Sequence, residues 1–389
     1  MKRIATIAAA LATMLQGQAQ EPSQSISHFG IDLYHKTATA KNSNMVMSPF
    51  SISPTMAMVA LGAKGETKQQ MTQTMHYSGS TKFYKQMGNL LRDLAQHQQV
   101  EICITNRVWM EQSYKTRWRY RRNLTRCFDA QAHQLNFKQQ PEDARISINN
   151  TIADDTKKHI TNLLPLGSIT PTTRLVLTNA IYFKGKWATT IDPSNTKKRN
   201  FTLSDGSTIE CPTMYTHSEY PLYQGSNYRA LQIDYQGNAL SLLILLPDEG
   251  TTLQQLEQHL SPELYQSTLD GLRSDGKVKV YLPKFKINTN ITLKPMLCEM
   301  GMPIAFGGGA DFSGMSGAKD LCIGNVYHKA FIEVSEEGTT AAAATAATMI
   351  RKSALERDKI FRADRPFLFV LKDNASGTIL FMGKVERPS

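Results

Sequence analysis

The chain has 389 residues, of which 41% are hydrophobic and 20% charged, so it is neither disordered nor collagenous. Its formal net charge of +11 favours acidic or polyanionic partners. Five cysteines without CxxC spacing exclude a framework of disulfides, and their odd number leaves at least one unpaired. No repeat and no Pro- or Ser-rich linker divides the sequence, which favours one continuous domain over residues 20–389.

The first 19 residues have the pattern of a secretory signal peptide. Lys2 and Arg3 precede a mostly apolar stretch, Ile4–Leu15, and small residues lead up to Ala19. We expect cleavage after Ala19 and a secreted, extracellular protein. The alternative is a buried N-terminal helix, because the apolar stretch is too short to span a membrane. Since no other segment has a spanning apolar run, no membrane association is expected.

Helical patterns come first along the chain. Ser51–Leu61 begins with a serine ahead of an apolar periodic run, which predicts a helix start. Phe83–Leu94 and Arg145–Leu164 also have apolar residues at helical spacing.

Strand patterns follow and continue to the end of the chain. Asp205-Gly206 and Gly237-Asn238 predict tight turns between strands. The predicted strands are Glu101–Trp109, Leu175–Phe183, Phe201–Leu203, Thr208–Ile209, Leu231–Tyr235, Leu240–Leu246, Val278–Leu282, Phe367–Leu371 and Thr378–Phe381. Helices followed by antiparallel strands predict the α+β class with several sheets.

No catalytic motif is present, so an enzyme activity of the chain itself is not expected. Gly314–Ala318 lacks the final glycine of a GxSxG elbow, and no lysine follows Gly307–Gly309 to hold a phosphate. The sequence has no HExxH motif and no pair of histidines at metal-binding spacing, so no metal site is predicted.

The most unusual stretch is Thr339–Thr348, which consists only of Ala and Thr and is followed by Arg351, Lys352 and Ser353. A flexible loop or an Ala-rich helix would account for the composition, although the threonines lower helix propensity. Small and β-branched side chains also allow a segment to enter the middle of a sheet. The basic residues behind it form a natural cleavage site for trypsin-like proteases.

From about Ser25 to Arg387 the chain resembles the serpins. The motifs that carry the resemblance are Asn44–Ser53, Leu175–Trp187, Leu245–Gly250, Leu282–Lys286, Ala310–Gly314, His328–Ala330, Glu336–Ala343 and Phe381–Val385. The resemblance implies the α+β serpin fold, with three β-sheets, eight or nine helices and an exposed reactive-centre loop at about 338–362.

The resemblance also implies a mechanism. A protease attacks the loop and forms an acyl-enzyme, after which the cut loop inserts as a strand into the large sheet and the protease is deformed. The hinge of this movement would be Glu336, Glu337, Gly338, Thr339, Thr340, Ala341, Ala342 and Ala343. With strand alternation from Thr339, the residues buried by insertion would be Thr339, Ala341, Ala343, Thr345 and Ala347, which are all small and uncharged.

The usual hinge spacing of the family places the reactive bond at Lys352-Ser353. A loop one residue shorter would place it at Arg351-Lys352. Either bond offers a cation to a trypsin-like protease, which is the partner that we expect in a covalent complex. The alternatives are a non-inhibitory serpin with a carrier, chaperone or storage role, and an inhibitor that also accepts cysteine proteases.

Further positions are assigned through the resemblance alone. Ser51, Asn179 and His328 match the family's shutter, a polar cluster beneath the opening sheet. Trp187 matches the breach, where the loop first enters, and Glu336 with Lys284 matches a pair that secures the top of the sheet. The family also implies a monomer that can form loop–sheet polymers.

A basic segment includes Arg117, Arg119, Arg121 and Arg122. It is predicted to form a surface helix that could bind a polyanion such as heparin. No other cofactor is expected, and nucleic acid is not an expected partner. The alternative is a solvated basic face whose aromatic residues and Leu124 pack inward.

Overall fold

Helices occupy most of the first part of the chain, and strands most of the rest. The computed structural model describes residues 21–38, 43–96, 99–338 and 359–388. The helices in these ranges are α1 Pro22–Thr37, α2 Pro49–Ala60, α3 Gly65–Thr74, α4 Thr81–Ala95, α5 Trp118–Phe128, α6 Pro141–Asp155, α7 Leu253–His259, α8 Pro262–Gly271, α9 Lys294–Glu299 and α10 Ser313–Ser316. Two 3-10 turns are also present there, Pro193–Asn195 and Pro303–Phe306. The predicted signal peptide, residues 1–19, lies outside the described ranges.

The strands build three sheets. They are β1 Met45–Met47, β2 Val100–Glu111, β3 Ala132–Leu135, β4 Leu175–Gly185, β5 Lys197–Thr202, β6 Thr208–Glu219, β7 Leu222–Gln224, β8 Tyr228–Asp234, β9 Leu240–Pro247, β10 Lys277–Pro283, β11 Phe285–Thr292, β12 Asn325–Val334, β13 Lys359–Arg362, β14 Phe367–Asp373 and β15 Ile379–Val385. The predicted α+β class with three sheets is confirmed. The described ranges hold ten helices rather than eight or nine, a count that includes short ones such as α10, which has four residues.

The three sheets differ in strand direction. The six-stranded sheet has the order β1-β15-β14-β9-β8-β7 and is antiparallel throughout. The four-stranded sheet has the order β13-β10-β6-β5, with β13 and β10 parallel. The five-stranded sheet has the order β11-β12-β4-β2-β3, and its central pair β12–β4 is parallel.

The turns predicted from short motifs are present. β5 and β6 pair around Asp205-Gly206, and β8 and β9 pair around Gly237-Asn238. Gly237 and Asn238 have φ angles of 86° and 56°, the left-handed region that residues in such a tight turn must adopt. These residue types therefore determined the local pairing.

The helix α2 occupies the centre of the core. All 12 of its residues are buried, and it contacts β15 of the six-stranded sheet together with β2 and β4 of the five-stranded sheet. It begins at Pro49, earlier than the predicted start, because the hydroxyl of Ser48 rather than that of Ser51 accepts the capping hydrogen bond from a backbone N–H, at 3.2 Å. Ser51 is left free to take part in the polar cluster described below.

The helix predicted over Arg145–Leu164 is wrong in its second half. α6 ends at Asp155, and Lys157 and Lys158 have φ angles of 49° and 64°. Two successive residues in the left-handed region cannot continue a right-handed helix. The chain instead crosses the face of the five-stranded sheet in turns.

α4 and α5 cross at Gly88 with very close backbones. A Cβ atom added to Gly88 would lie 1.6 Å from the carbonyl oxygen of Cys127. The contact is with backbone rather than with a flexible side chain, so the helices would have to separate to admit it. Gly88 therefore fixes the distance between these helices.

We expect Gly88→Ala to lower stability by about 1–3 kcal/mol, which is typical of overpacking in a rigid core. The measurement is the midpoint of urea unfolding. Gly308→Ala is the matched control, because a Cβ atom there meets nothing within 4 Å. Equal midpoints for the two variants would contradict this account of the helix crossing.

Candidate functional site

The parallel pair β4–β12 forms a seam in the middle of the five-stranded sheet. The pairing extends from Asn325 opposite Val176 to Phe331 opposite Tyr182. Each strand has an antiparallel neighbour on its other side, β2 beside β4 and β11 beside β12. The two strands are far apart in sequence, so the seam is held only by its ladder and by side chains that cross it.

A buried polar cluster crosses this seam. His328 of β12 lies opposite Asn179 of β4, and both are fully buried. The Nε2 atom of His328 accepts a hydrogen bond of 3.1 Å from the backbone N–H of Ser48, which leaves the proton on Nδ1 to donate to the Asn179 carbonyl oxygen. The hydroxyl of Ser48 donates to the carbonyl oxygen of Leu380 at 2.6 Å, so the cluster also reaches the six-stranded sheet.

The Asn179 amide nitrogen extends the cluster to helix α2. It donates to the hydroxyl of Ser51, and it lies 3.3 Å from that of Thr55. The structure thus brings together Ser51, Asn179 and His328, the three residues assigned through the resemblance. Sequence reasoning missed Ser48, although a serine directly before Pro49 is a recognisable capping signal.

Burial determines the protonation state of His328. Removal from water lowers the pKa of the imidazole from 6.5 to about 3. His328 is therefore neutral near physiological pH and holds the two strands through uncharged hydrogen bonds. Its role is structural, because it contacts only buried groups of the fold.

At the end of the seam where the pairing stops, Trp187 joins β4 to the exit of β12. Its indole N–H donates to the carbonyl oxygen of Ser335 at 2.8 Å, and its ring stacks on Tyr235 with centroids 4.5 Å apart. Beyond Phe331 the end of β12 is thus joined to the β4 side by a tryptophan side chain, while its ladder with β11 continues to Val334.

The ion pair of Glu336 and Lys284 lies directly beyond, with a separation of 2.8 Å. Thr196 also donates a hydrogen bond of 2.7 Å to the Glu336 carboxylate. Burial alone would raise the pKa of Glu336, but the hydrogen bonds from Lys284, the backbone and Thr196 outweigh it, so the pKa is lowered. The carboxylate is therefore ionised at neutral pH.

Gly338 is the last described residue of the hinge, and only glycine suits its position. Its φ angle is 71°, and an added Cβ atom would lie 2.4 Å from both the Gly185 carbonyl oxygen and the Trp187 backbone nitrogen. A bridge between Ser335 and Gly338 turns the chain back at this point. Glu337, the remaining described hinge residue, is half-buried.

The other hinge residues and the predicted reactive bond lie outside the described residues. They are Thr339, Thr340, Ala341, Ala342, Ala343, Arg351, Lys352 and Ser353. The chain is described again from Lys359. Residues 359–362, which the sequence analysis included in the loop, form β13, because they pair with β10 in the four-stranded sheet.

Aromatic rings also cross the seam, which sequence reasoning missed. His159, in the turns after α6, stacks on Tyr182 of β4 with centroids 3.7 Å apart, and Tyr182 stacks on Phe331 of β12 at 5.6 Å. Lys286 of β11 places its ammonium 5.2 Å from the Phe331 ring. This packing depends on the path of the chain after α6, which no local pattern indicated.

The basic segment forms α5, with Arg117 as its N-cap residue. Tyr120 and Leu124 pack inward, but Trp118 is 58% exposed, so the alternative in which both aromatic residues pack inward is only half realised. The arginines proposed to bind a polyanion all point to solvent: Arg117, Arg119, Arg121 and Arg122. The guanidinium of Arg119 lies 5.6 Å from the Trp118 ring.

Comparison with known proteins identifies the family. The family model described as "Serpin (serine protease inhibitor)" matches residues 24–388. The chain belongs to the serpin family. The family is one of protease inhibitors rather than enzymes, and it also includes non-inhibitory members.

Several relatives of this serpin cover most of its length. A leukocyte elastase inhibitor of Xenopus tropicalis is 36% identical over 94% of this chain and 99% of its own. Human serpin B3 is 33% identical with the same coverage. A serpin-like protein of Thermococcus kodakarensis is 35% identical over 96% of this chain and 87% of its own.

Two solved structures share the fold of this serpin. Uncleaved ovalbumin superposes with a TM-score of 0.85 at 25% identity, over 95% of this chain and all of the other. Human thyroxine-binding globulin, solved in complex with thyroxine, superposes with a TM-score of 0.84 at 26% identity, over 95% of this chain and 98% of the other. Among the described residues, no helix is both long and apolar enough to cross a membrane, and no three His, Cys, Asp or Glu side chains are grouped to hold a metal ion.

The neutral state of His328 makes stability depend on pH. In the unfolded chain a histidine takes up a proton below about pH 6.5, whereas folded His328 does so only near pH 3. Stability should therefore fall as the pH is lowered from 6.5 towards 3, and this residue alone should account for about 2 kcal/mol at pH 5.

The test compares urea unfolding midpoints at pH 8 and pH 5 for the wild type and for His328→Gln, whose side chain has no titrating group. The variant starts less stable but should lose less between the two pH values. Because other histidines and carboxylates titrate in both proteins, the difference between the two losses is the relevant quantity. Equal losses would show that His328 does not titrate as described.

Proposed function

We propose that this serpin is a secreted suicide-substrate inhibitor that traps trypsin-like serine proteases as covalent acyl-enzymes. The observation that supports this best is the parallel seam, from which the chain leaves β12 through a glycine turn at Gly338. A segment that folds back from this turn runs antiparallel to both β12 and β4. Its insertion replaces one parallel pairing by two antiparallel ones, which are more stable per residue.

The chemical step is that of an ordinary protease substrate. The serine hydroxyl of the protease attacks the carbonyl carbon of Lys352, and the catalytic histidine takes the proton. The bond to Ser353 breaks, the histidine passes the proton to the new amino group, and Lys352 remains as an ester on the protease. Inhibition requires insertion to be faster than the attack of water on this ester.

The composition of the hinge supports rapid insertion. On entering the sheet, Thr339, Ala341 and Ala343 would be buried on one face, and none of them is large or charged. Insertion must separate the His328–Asn179 pair and the Tyr182–Phe331 stack. The native state is therefore a kinetic trap that these contacts maintain.

Lys352 is the residue that we place before the cleaved bond, with Arg351 as the alternative. A basic side chain there suits the carboxylate at the base of a trypsin-like specificity pocket. Cysteine proteases that accept a basic residue are further candidate targets. The segment of residues 1–19 supports secretion, and we propose that the mature protein is a monomer that can form loop–sheet polymers.

A carrier role is the competing function. Thyroxine-binding globulin shares the fold and was solved in complex with thyroxine, so a serpin scaffold can bind a small molecule. The small, uncharged residues at alternate positions from Thr339 favour inhibition, because a carrier has no need to keep them.

The proposal predicts that mixing the protein with trypsin gives a band at the combined mass on a denaturing gel. Mass spectrometry of the released C-terminal peptide should find Ser353 at its start. A start at Lys352 would move the bond to Arg351, whereas cleavage without any covalent band would favour the carrier role.

Thr339→Arg is the variant that separates insertion from recognition. It would bury an unpaired charge on insertion, so insertion should become slower than hydrolysis of the acyl-enzyme. The variant should then be cleaved as a substrate. Thr340→Arg is the matched control, because alternation places residue 340 on the solvent side of the inserted strand. If both variants still trap trypsin at the wild-type stoichiometry, loop insertion is not the mechanism.

We further propose that α5 binds a polyanion such as heparin, since its arginines and Trp118 are exposed together. Replacing Arg119, Arg121 and Arg122 by Ala should lower the salt concentration at which the protein elutes from heparin. The control removes three exposed cations from other parts of the chain, Lys36, Lys64 and Arg387. Equal elution of the two triple variants would mean that only the net charge matters.

A further inference from the structure

The four-stranded sheet is strongly basic. Its strands contain seven Lys or Arg residues and only two carboxylates, Glu210 and Glu219. The cations are Lys197, Lys198, Arg199, Lys277, Lys279, Lys359 and Arg362. After the predicted reactive bond, the chain is described again from β13. The basic sheet therefore lies at the C-terminal end of the reactive loop.

Strand alternation separates the two faces of this sheet. Val278, Val280 and Leu282 of β10 are buried, as is Phe361 of β13, so they form the core side. Lys279 and Tyr281 alternate with these apolar residues and lie on the other face. The register extends this face to the neighbouring strands, since Tyr281 lies opposite Tyr215 and Arg362, and Lys279 opposite Ile360.

A tyrosine holds two arginines on this outer face. The guanidinium carbons of Arg199 and Arg362 lie 4.7 Å and 4.9 Å from the centroid of the Tyr281 ring. Tyr215 packs against the same ring, with centroids 5.1 Å apart. Stacking on a ring restricts a guanidinium but leaves its N–H groups available to an acceptor. The Nε atom of Arg199 is itself buried, so any acceptor on a partner must be reached by the terminal N–H groups of this guanidinium.

We infer that Arg199, Tyr281 and Arg362 form a docking face for an acidic surface of the target protease, an inference that rests on the proposed inhibitory function. Fixed guanidinium groups bind carboxylates with two hydrogen bonds each. Ile360, which is 52% exposed, adds an apolar contact on the same face. A protease held at the reactive loop lies close to this sheet, because β13 continues directly from the loop.

This face would change the rate at which the protease associates with the inhibitor, rather than the later trapping of the acyl-enzyme. Charges at the rim of an interface mainly raise the association rate, and salt screens them. The docking face therefore adds selectivity among proteases that share a preference for basic residues. Those with an acidic surface beside the active site are captured faster than those with a basic one.

The experiment uses an anionic and a cationic isoform of trypsin, which share their primary specificity. For Arg199→Ala/Arg362→Ala, the association rate constant with the anionic isoform should fall about tenfold at low salt, within the usual range of electrostatic steering. The rate with the cationic isoform should fall little or rise, and the stoichiometry of inhibition should not change. Lys82→Ala/Lys85→Ala, which removes two exposed cations from α4, is the control.

Two further variants test the geometry. Arg362→Glu reverses one charge. It should lower the association rate constant with the anionic isoform and raise that with the cationic isoform. Tyr281→Leu retains both arginines but removes the ring that orients them, so it should reproduce part of the loss. These exposed or half-exposed substitutions also keep the test valid if the double variant does not fold.

Several results would overturn the inference. Equal changes for both isoforms, or the same loss in the Lys82/Lys85 control, would exclude a docking face. Earlier elution from heparin together with unchanged protease rates would assign the face to a polyanion instead. If the wild type traps no protease, the proposed function fails. Docking can then be measured separately, as salt-dependent binding to anionic trypsin whose catalytic serine is replaced by alanine. Binding that is weaker for Arg199→Ala/Arg362→Ala than for wild type would still support the face, and equal binding would reject it.

Discussion

The parallel contact between β4 and β12 is the constraint on which the rest of the structure depends. A parallel pair in the middle of an otherwise filled sheet is the place where a further strand gains most, because it can pair with both neighbours. What opposes its entry is the uncharged pair of His328 and Asn179 and the stack of Tyr182 on Phe331. Because these contacts are buried, they keep β4 and β12 paired until another strand enters between them.

The exit of β12 determines where opening can begin. Trp187 and the pair of Glu336 with Lys284 hold this end through side chains, and Gly338 turns the chain at a point where no Cβ atom fits. Side-chain contacts at a sheet end can be exchanged singly, whereas a ladder must separate over several residues. In the proposed mechanism the strand therefore enters from this end and proceeds towards His328.

Local patterns predicted local structure well, as the turn at Gly237-Asn238 and its flanking strands illustrate, because those residue types tolerate left-handed conformations that others resist. The end of α6 was missed because Lys157 and Lys158 are good helix formers by residue type, although both have positive φ angles in this structure. The shutter residues could be assigned only through resemblance to a family. Their contacts join residues up to 280 positions apart, as between Ser48 and His328, a distance that periodicity cannot bridge.

In the proposed mechanism, recognition and trapping of the protease would rest on different physical interactions. The outer face around Tyr281 works through charge in contact with water, so it depends on salt and on the partner. The seam works through buried, uncharged hydrogen bonds and ring contacts, which salt hardly affects. Substitutions on the docking face should therefore change which protease arrives first, while substitutions at the seam change whether the captured protease is retained. Because the docking face and the seam lie in different sheets, the association rate and the retention of the protease could vary independently in the proposed mechanism.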